Sequence, residues 1–496
     1  MLPDFSMLVP ELFLFGWAIL VFVIDIFFLK GRKDILGYVT LLGLAVTIVL
    51  CCLVPHGRTF GRVFISDGFS MFFNIVFLAA TMLAVSSSAE FTGRLKYHRG
   101  EYYGLILLAT VGMMFLAAAG ELVSLYVALE LTTITLFILA AYRKTSVSSS
   151  EAGLKYFILG ALSSGILLYG MSLTYGVTGT TDLATIKTVL TSKLNAGIIK
   201  AAWDVHVLGM VMIIAGLAFK LAIVPFHMWA PDVYEGAPTP ITSYLSVASK
   251  AAGLAAFVRI LVGAFNVDAF MDDWGIVLAV LSALAMIVGN ITAVLQPTVK
   301  RMLAYSSIAQ AGYIMIGMVA MSRYIGIGNV KPWELGVSSL SFYIFGYMFA
   351  NMGAFAVAIA FTHQYGTDKI KDYAGLSKKS PFLAAAMTIF LLSLAGIPPL
   401  VGFLAKYYIF ASAIAAGGYL WLVMIGVLTS VVALFYYAYI IRQMYFVEAT
   451  EEREKVRLAP MLGATIVIAM VFTFAIGVYP APFISLAQKA ASIFAG

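Results

Sequence analysis

Four charged residues fall in the middle of apolar runs, and they are the first sign of chemistry in this chain. Glu130 stands in LYVALELTTITLF, Lys220 in LAFKLAIVPFHMW, Lys250 in SYLSVASKAAGL and Lys406 in LVGFLAKYYIF. A charge at bilayer depth is costly, so it needs a partner, water or a task. Pro225 follows Lys220 by five residues, and His227 comes next but one. A proline frees backbone carbonyls, which membrane depth tolerates only where protein or water re-satisfies them. Together these features imply a hydrated ion path inside a helix bundle.

The residue types also specify what such a path carries. A carboxylate beside a buried ammonium favours its charged form, and drawing the two apart releases the proton. On this logic Glu130 and Lys220 form a proton switch, with Lys250 and then Lys406 as successive acceptors. Ser163, Ser164, Ser246, Ser249 and Tyr305 supply polar groups for water-borne links between them. Ser306, Ser307, Gln310, Tyr343, Tyr347 and Asn351 do the same in the second half. Plainer roles compete. Small polar residues are common glue between membrane helices. Lys155 and Arg259 lie near span ends, where long basic side chains snorkel to the interface. His227 suits a cap on a broken helix. Glu11 and Asp25 in the first span read as interfacial or as packed against a neighbouring subunit.

Such charges need a bundle to hold them. The chain has 496 residues, 62% hydrophobic and only 11% charged, which is the composition of a polytopic α-helical membrane protein. Its formal charge of +7 is spread over loops and marks no nucleic-acid surface. Cys51 and Cys52 are adjacent and build neither a disulfide framework nor an iron–sulfur ligand set. The first apolar run lacks a basic leader and is long enough to span, so it reads as a true first helix. Gly326 and Gly328 lack the context of a dinucleotide fingerprint.

Fourteen spans are predicted: 7–29, 35–54, 68–89, 101–119, 121–142, 152–177, 205–230, 238–264, 274–295, 300–321, 335–362, 382–413, 419–441 and 459–480. Spans seven and twelve are interrupted, at Pro225 and at Pro398 and Pro399. They are five spans apart, and an odd separation turns the second copy upside down, as in inverted repeats around a midplane site. The predicted units are residues 1–100 with spans one to three, 101–265 and 266–445 as two inverted five-helix repeats, and 446–496 with span fourteen. Eighteen Lys and Arg residues occupy one set of loops and eight the other. The richer set should be cytoplasmic, which puts both termini outside.

The run from LAFK to SVASK, span five with Glu130, and LAGIPPLVGFLAKYYIF resemble the antiporter-like subunits of respiratory complex I and of Mrp-type antiporters. The resemblance covers spans four to thirteen. The opening PDFSMLVPELFLFGWA, the lysine at position 406 and an end soon after span fourteen resemble the N-type branch of that family. That end leaves no room for the long lateral helix of an L-type subunit. The resemblance implies a proton-translocating membrane subunit of a NADH:quinone oxidoreductase, with an Mrp-like Na+/H+ antiporter subunit as the alternative. It implies that Glu130 and Lys220 are the coupling pair, Lys250 the central relay and Lys406 the terminal charge at the exit. Lys155 and His227 take auxiliary positions. It further implies that FMN, iron–sulfur clusters and quinone belong to other subunits, this chain binding none. The implied partners are M-type and K-type neighbours, the lateral helix of an L-type subunit, and lipid.

Overall fold

The structure, a computed structural model, describes residues 4–27, 35–93, 95, 99–195, 203–322, 332–449 and 454–492. Of the loop cations weighed above, Lys30, Arg32, Lys33, Arg94, Lys96, Lys200, Arg323, Lys331 and Arg453 lie outside the described residues, as do Gly326 and Gly328. In lipid every backbone polar group must be satisfied within the chain, so the apolar runs become helices. These are α1 (Val9–Phe27), α2 (Ile35–Leu53), α3 (Gly68–Ser87), α4 (Arg99–Ala117), α5 (Leu122–Ala140), α6 (Val147–Thr178), α7 (Trp203–Leu221) and α8 (Trp229–Gly236). There follow α9 (Thr239–Gly263), α10 (Asp268–Val294), α11 (Val299–Ala320), α12 (Pro332–Tyr365), α13 (Pro381–Ala395), α14 (Val401–Ala416), α15 (Leu420–Phe446), α16 (Pro460–Val478) and α17 (Ala481–Ala491). Among the described residues 12 helices are long and apolar enough to cross a membrane. Two further crossings are made by the pairs α7 with α8 and α13 with α14. The predicted fourteen spans are thus all present, in an all-α polytopic membrane fold. A two-stranded antiparallel hairpin, β1 (Gly57–Thr59) and β2 (Phe64–Ser66), joins α2 to α3.

Burial sorts the helices into an interior and a rim. The most apolar stretches of α9 and α11 are 94% buried and that of α12 is 100% buried, against 28% for α1 and 33% for α16. Hydroxyls and amides lie enclosed on the interior helices, among them Thr242, Ser246, Ser306, Gln310, Ser339 and Asn351. Polar groups are expelled from the lipid face and collected where they can bond to one another.

Both interruptions are real breaks. Proline lacks a donor and clashes with the preceding turn, so α7 stops before Pro225. It stops at Leu221, earlier than the sequence placed it, because Ala222 takes φ +55°, a left-handed conformation uncommon for a residue with a side chain. Trp229 Nε1 donates to the Phe219 carbonyl at 2.9 Å, and its ring stacks on Tyr156 at 4.4 Å, which fixes α8 beside the end of α7. In the second break Gly396 has φ +93°. A Cβ on Gly402 would lie 1.8 Å from the Ser393 carbonyl oxygen, so only glycine lets α14 pass this close to α13.

Two charges, Arg259 and Glu11, sit differently from expectation, and Asp25 stays partly exposed near a helix end. Arg259 does not snorkel: it is 4% exposed and binds both oxygens of Asp67 at 2.7 Å each. It also donates to the Ala117 carbonyl at 2.8 Å. The reason is position, because α9 is enclosed along its length and the side chain has no route to the interface. Asp25 accepts from the Gly100 backbone N–H at 3.1 Å, at the start of α4, where helix amides lack partners. Glu11 is buried within this chain rather than at its surface, accepting from Asn74 at 3.1 Å.

Candidate functional site

Glu130 lies on α5 and accepts a 2.5 Å hydrogen bond from Ser164 Oγ on α6. Thr133, three residues on and hence on the same helix face, accepts from Lys220 Nζ. Lys220 is 5% exposed and stands in the last turn of α7, where unsatisfied carbonyls favour a cation. Ser163 Oγ donates to the Gly216 carbonyl at 3.2 Å and pins α6 to α7 one turn earlier. The carboxylate and the ammonium are therefore close neighbours, each held by a hydroxyl, and no ion pair joins them among the described residues. A direct Glu130–Lys220 pair would require Lys220 to exchange Thr133 for Glu130, about one turn away.

Lys250 follows a π-helical turn, Leu245–Ser249, inside α9. Such turns recur at functional sites because they re-aim the side chains that follow. Lys250 is 2% exposed and donates to both the carbonyl and the hydroxyl of Ser307 on α11, at 2.5 and 2.6 Å. Tyr347 on α12 donates to the same hydroxyl at 3.1 Å. Asn351, one turn on, donates to Ser246 Oγ at 2.7 Å and ties α12 to the π turn. Lys220 approaches this region through packing, since its Cβ lies 3.3 Å from where a Cβ on Gly253 of α9 would be.

Lys406 on α14 is 6% exposed and donates to the Ala395 carbonyl at the end of α13 at 2.9 Å and to Ser430 Oγ on α15 at 3.1 Å. Its ammonium lies 4.7 Å from the centre of the Tyr313 ring, a cation–π distance. Tyr343 donates to Gln310, and Gln310 donates to the Leu394 carbonyl at 3.1 Å. Lys406, Gln310, Tyr343 and Tyr347 border one cavity of about 10 Å3, near the lower limit for one water. A polar sequence therefore runs from Lys250 through Ser307, Tyr347 and Gln310 to Lys406.

The remaining candidates fall elsewhere. Lys155 is on the rim of the bundle, bound to Glu151 and to Asp232 of α8 at 2.8 Å each. Arg301 joins the same cluster, 3.0 Å from Asp232 and 2.6 Å from Glu235. His227 lies in the loop between α7 and α8 with an enclosed Nδ1 that has no hydrogen-bond partner among the described residues. Among the described residues no side-chain cap bond forms at the head of α8. Tyr305 is only partly buried and off the line. Ser306 pairs instead with Tyr437 at 2.5 Å. Sequence reasoning missed Thr133, Tyr313, Ser430 and the charges Asp232, Glu235 and Arg301. Two had a signal: Thr133 repeats the Glu130 face, and Tyr313 continues the face of Ser306 and Gln310.

All six candidates lie within residues 119–433, which match the family model for "NADH:quinone oxidoreductase/Mrp antiporter, TM". The chain belongs to this family. Among proteins of the NADH:quinone oxidoreductase/Mrp antiporter family, it is 46% identical to NADH-quinone oxidoreductase subunit N of Moorella thermoacetica over 432 residues, 87% of this chain and 86% of that one. A chain of respiratory complex I from Thermus thermophilus with bound aureothin superposes with a TM-score of 0.77 at 31% identity, covering 97% of this chain and 99% of that one. The fold is shared as well by a chain of the Mrp complex from Dietzia sp. DQ12-45-1b, with a TM-score of 0.82 at 22% identity over 99% and 98% of the two chains.

Proposed function

We propose that this chain is a proton-translocating membrane-arm subunit of a NADH:quinone oxidoreductase, a translocase subunit that performs no redox chemistry itself. The observation that carries this is the buried polar line, in which three lysines at most 6% exposed are held by hydroxyls, carbonyls and a ring, with Glu130 at one end. Groups so arranged hold and pass protons. Glu130 and Lys220 open and close, Lys250 relays, and Lys406 gives the proton up toward the exit. Lys155 and His227 assist where α8 meets the aqueous face. Quinone reduction elsewhere supplies the bias. FMN, iron–sulfur clusters and quinone belong to other polypeptides.

The two breaks support reading residues 101–265 and 266–445 as inverted repeats, flanked by 1–100 and 446–496. The bacterial relatives support an inner-membrane location, and the distribution of loop cations supports both termini being periplasmic. Exposed Val123, Val127, Leu131, Ile134 and Ile138 form an apolar stripe on α5 beside Glu130, suited to lipid or to a neighbouring membrane subunit of M or K type. The lateral helix of an L-type subunit is a further expected contact.

Lys220→Ala should abolish proton translocation in an assembled, correctly located complex. Normal translocation at normal assembly would overturn the proposal. The shared Mrp fold keeps an Na+/H+ antiporter subunit as a second reading. Purification separates the two, because that reading predicts no flavoprotein or iron–sulfur subunits bound to this chain.

A further inference from the structure

A second buried carboxyl lies far from the lysine line, where α1, α2 and α3 meet the hairpin. Glu11 is 2% exposed and Asn74 is 5% exposed. Asn74 Nδ2 donates to Glu11 Oε1 at 3.1 Å. The second oxygen of each group, Glu11 Oε2 and Asn74 Oδ1, is buried with no hydrogen-bond partner among the described residues. Both side chains border one cavity of about 20 Å3. One water needs about 10–15 Å3 on this measure.

Two oxygens that only accept are unfavourable to bury against one small cavity without a hydrogen. One added hydrogen resolves both. On a carboxylic acid it makes Glu11 a donor, and an acid and a carboxamide then satisfy each other reciprocally. A metal cation answers less well, because hard cations gather about six or more oxygens. Here Ser70 Oγ is already engaged with the Asp67 backbone at 2.9 Å in both directions, and Ser66 Oγ donates to the Pro55 carbonyl at 3.0 Å. The other polar neighbour, Cys51, offers sulfur.

We propose that Glu11 and Asn74 form a proton-binding site, with the acid hydrogen on Glu11 Oε2 donated to Asn74 Oδ1 directly or across one water. The surrounding groups favour this. Cys51 on α2 is a free, buried cysteine, and Asp67 at the head of α3 is bound to Arg259. Asp4, before α1, is bonded to Ser6. His56 precedes β1 and Arg58 lies within it, and among the described residues no cation forms an ion pair with Glu11. Met7, Val54, Ser66 and Met71 border the cavity and are partly exposed, so the proton exchanges with the hairpin face. The site precedes residue 119 and does not depend on the function proposed for the lysines.

Infrared spectroscopy of the purified complex in lipid nanodiscs tests it. The wild type should show a carboxylic-acid carbonyl band that shifts in heavy water and is lost in Glu11→Gln. In Asn74→Leu the band should move to higher wavenumber as its hydrogen bond is lost. Exchanging choline chloride for sodium chloride should leave it unchanged. Loss of a carboxylate band instead of an acid band in Glu11→Gln would overturn the proposal, as would disappearance of the acid band on adding sodium. If Glu11→Gln does not assemble, Asn74→Leu decides alone, and an acid region identical to wild type refutes the pair.

Discussion

At the scale of single residues, the site is a set of ammonium groups whose partners are neutral. Hydrogen bonds to a charged group contribute about 1.5–3 kcal/mol. Thr133→Val should therefore slow proton translocation about tenfold or more, by removing the acceptor of Lys220, while Thr133→Ser should stay near wild type. Fluorescence quenching of a pH-sensitive dye in inverted vesicles, normalised to assembled complex, reads both. Tyr313→Leu should impair translocation where Tyr313→Phe does not, because only the ring faces Lys406 and a desolvated cation–π contact contributes about 2 kcal/mol. The central charges were legible in the sequence because a charge inside an apolar run needs a reason. Their partners were not. Thr133 and Ser430 are ordinary helix residues until the fold sets them opposite a lysine.

At the scale of elements, the breaks were legible from proline, but their limits were not. Ala222 ends α7 through a backbone conformation that no residue type announces. The π turn before Lys250 left no mark in the sequence either, since Leu245–Ser249 reads as plain helix. Arg259 was misread for a related reason: nearness to a span end says nothing about whether that end is enclosed. Its pair with Asp67 clamps α9 to the head of α3. Removing one member of a buried pair costs about 3–5 kcal/mol, so Arg259→Leu should lower thermal stability and yield of the complex, with Asp67→Asn partly restoring both. The Asp232 pairs are half-exposed, and exposed pairs contribute about 0–1 kcal/mol each. Asp232→Asn should leave thermal stability nearly unchanged, as a melting curve would show.

At the scale of the molecule, hydropathy was enough for the number of crossings, and loop charge predicts their direction. With Cys52 replaced by serine, Thr185→Cys should react with an impermeant maleimide in right-side-out vesicles and Glu448→Cys should not. The reverse pattern would invert the topology. Hydropathy does not distinguish interior helices from rim helices, and here the distinction has a consequence for biogenesis. α12 is enclosed on every side, and α16 and α17, made after it, supply part of its cover. Synthesis runs from the amino end. While the later helices are made, the hydroxyl-rich surface of α12 must wait in lipid or beside an insertase, and its cover is complete only once α16 and α17 have arrived.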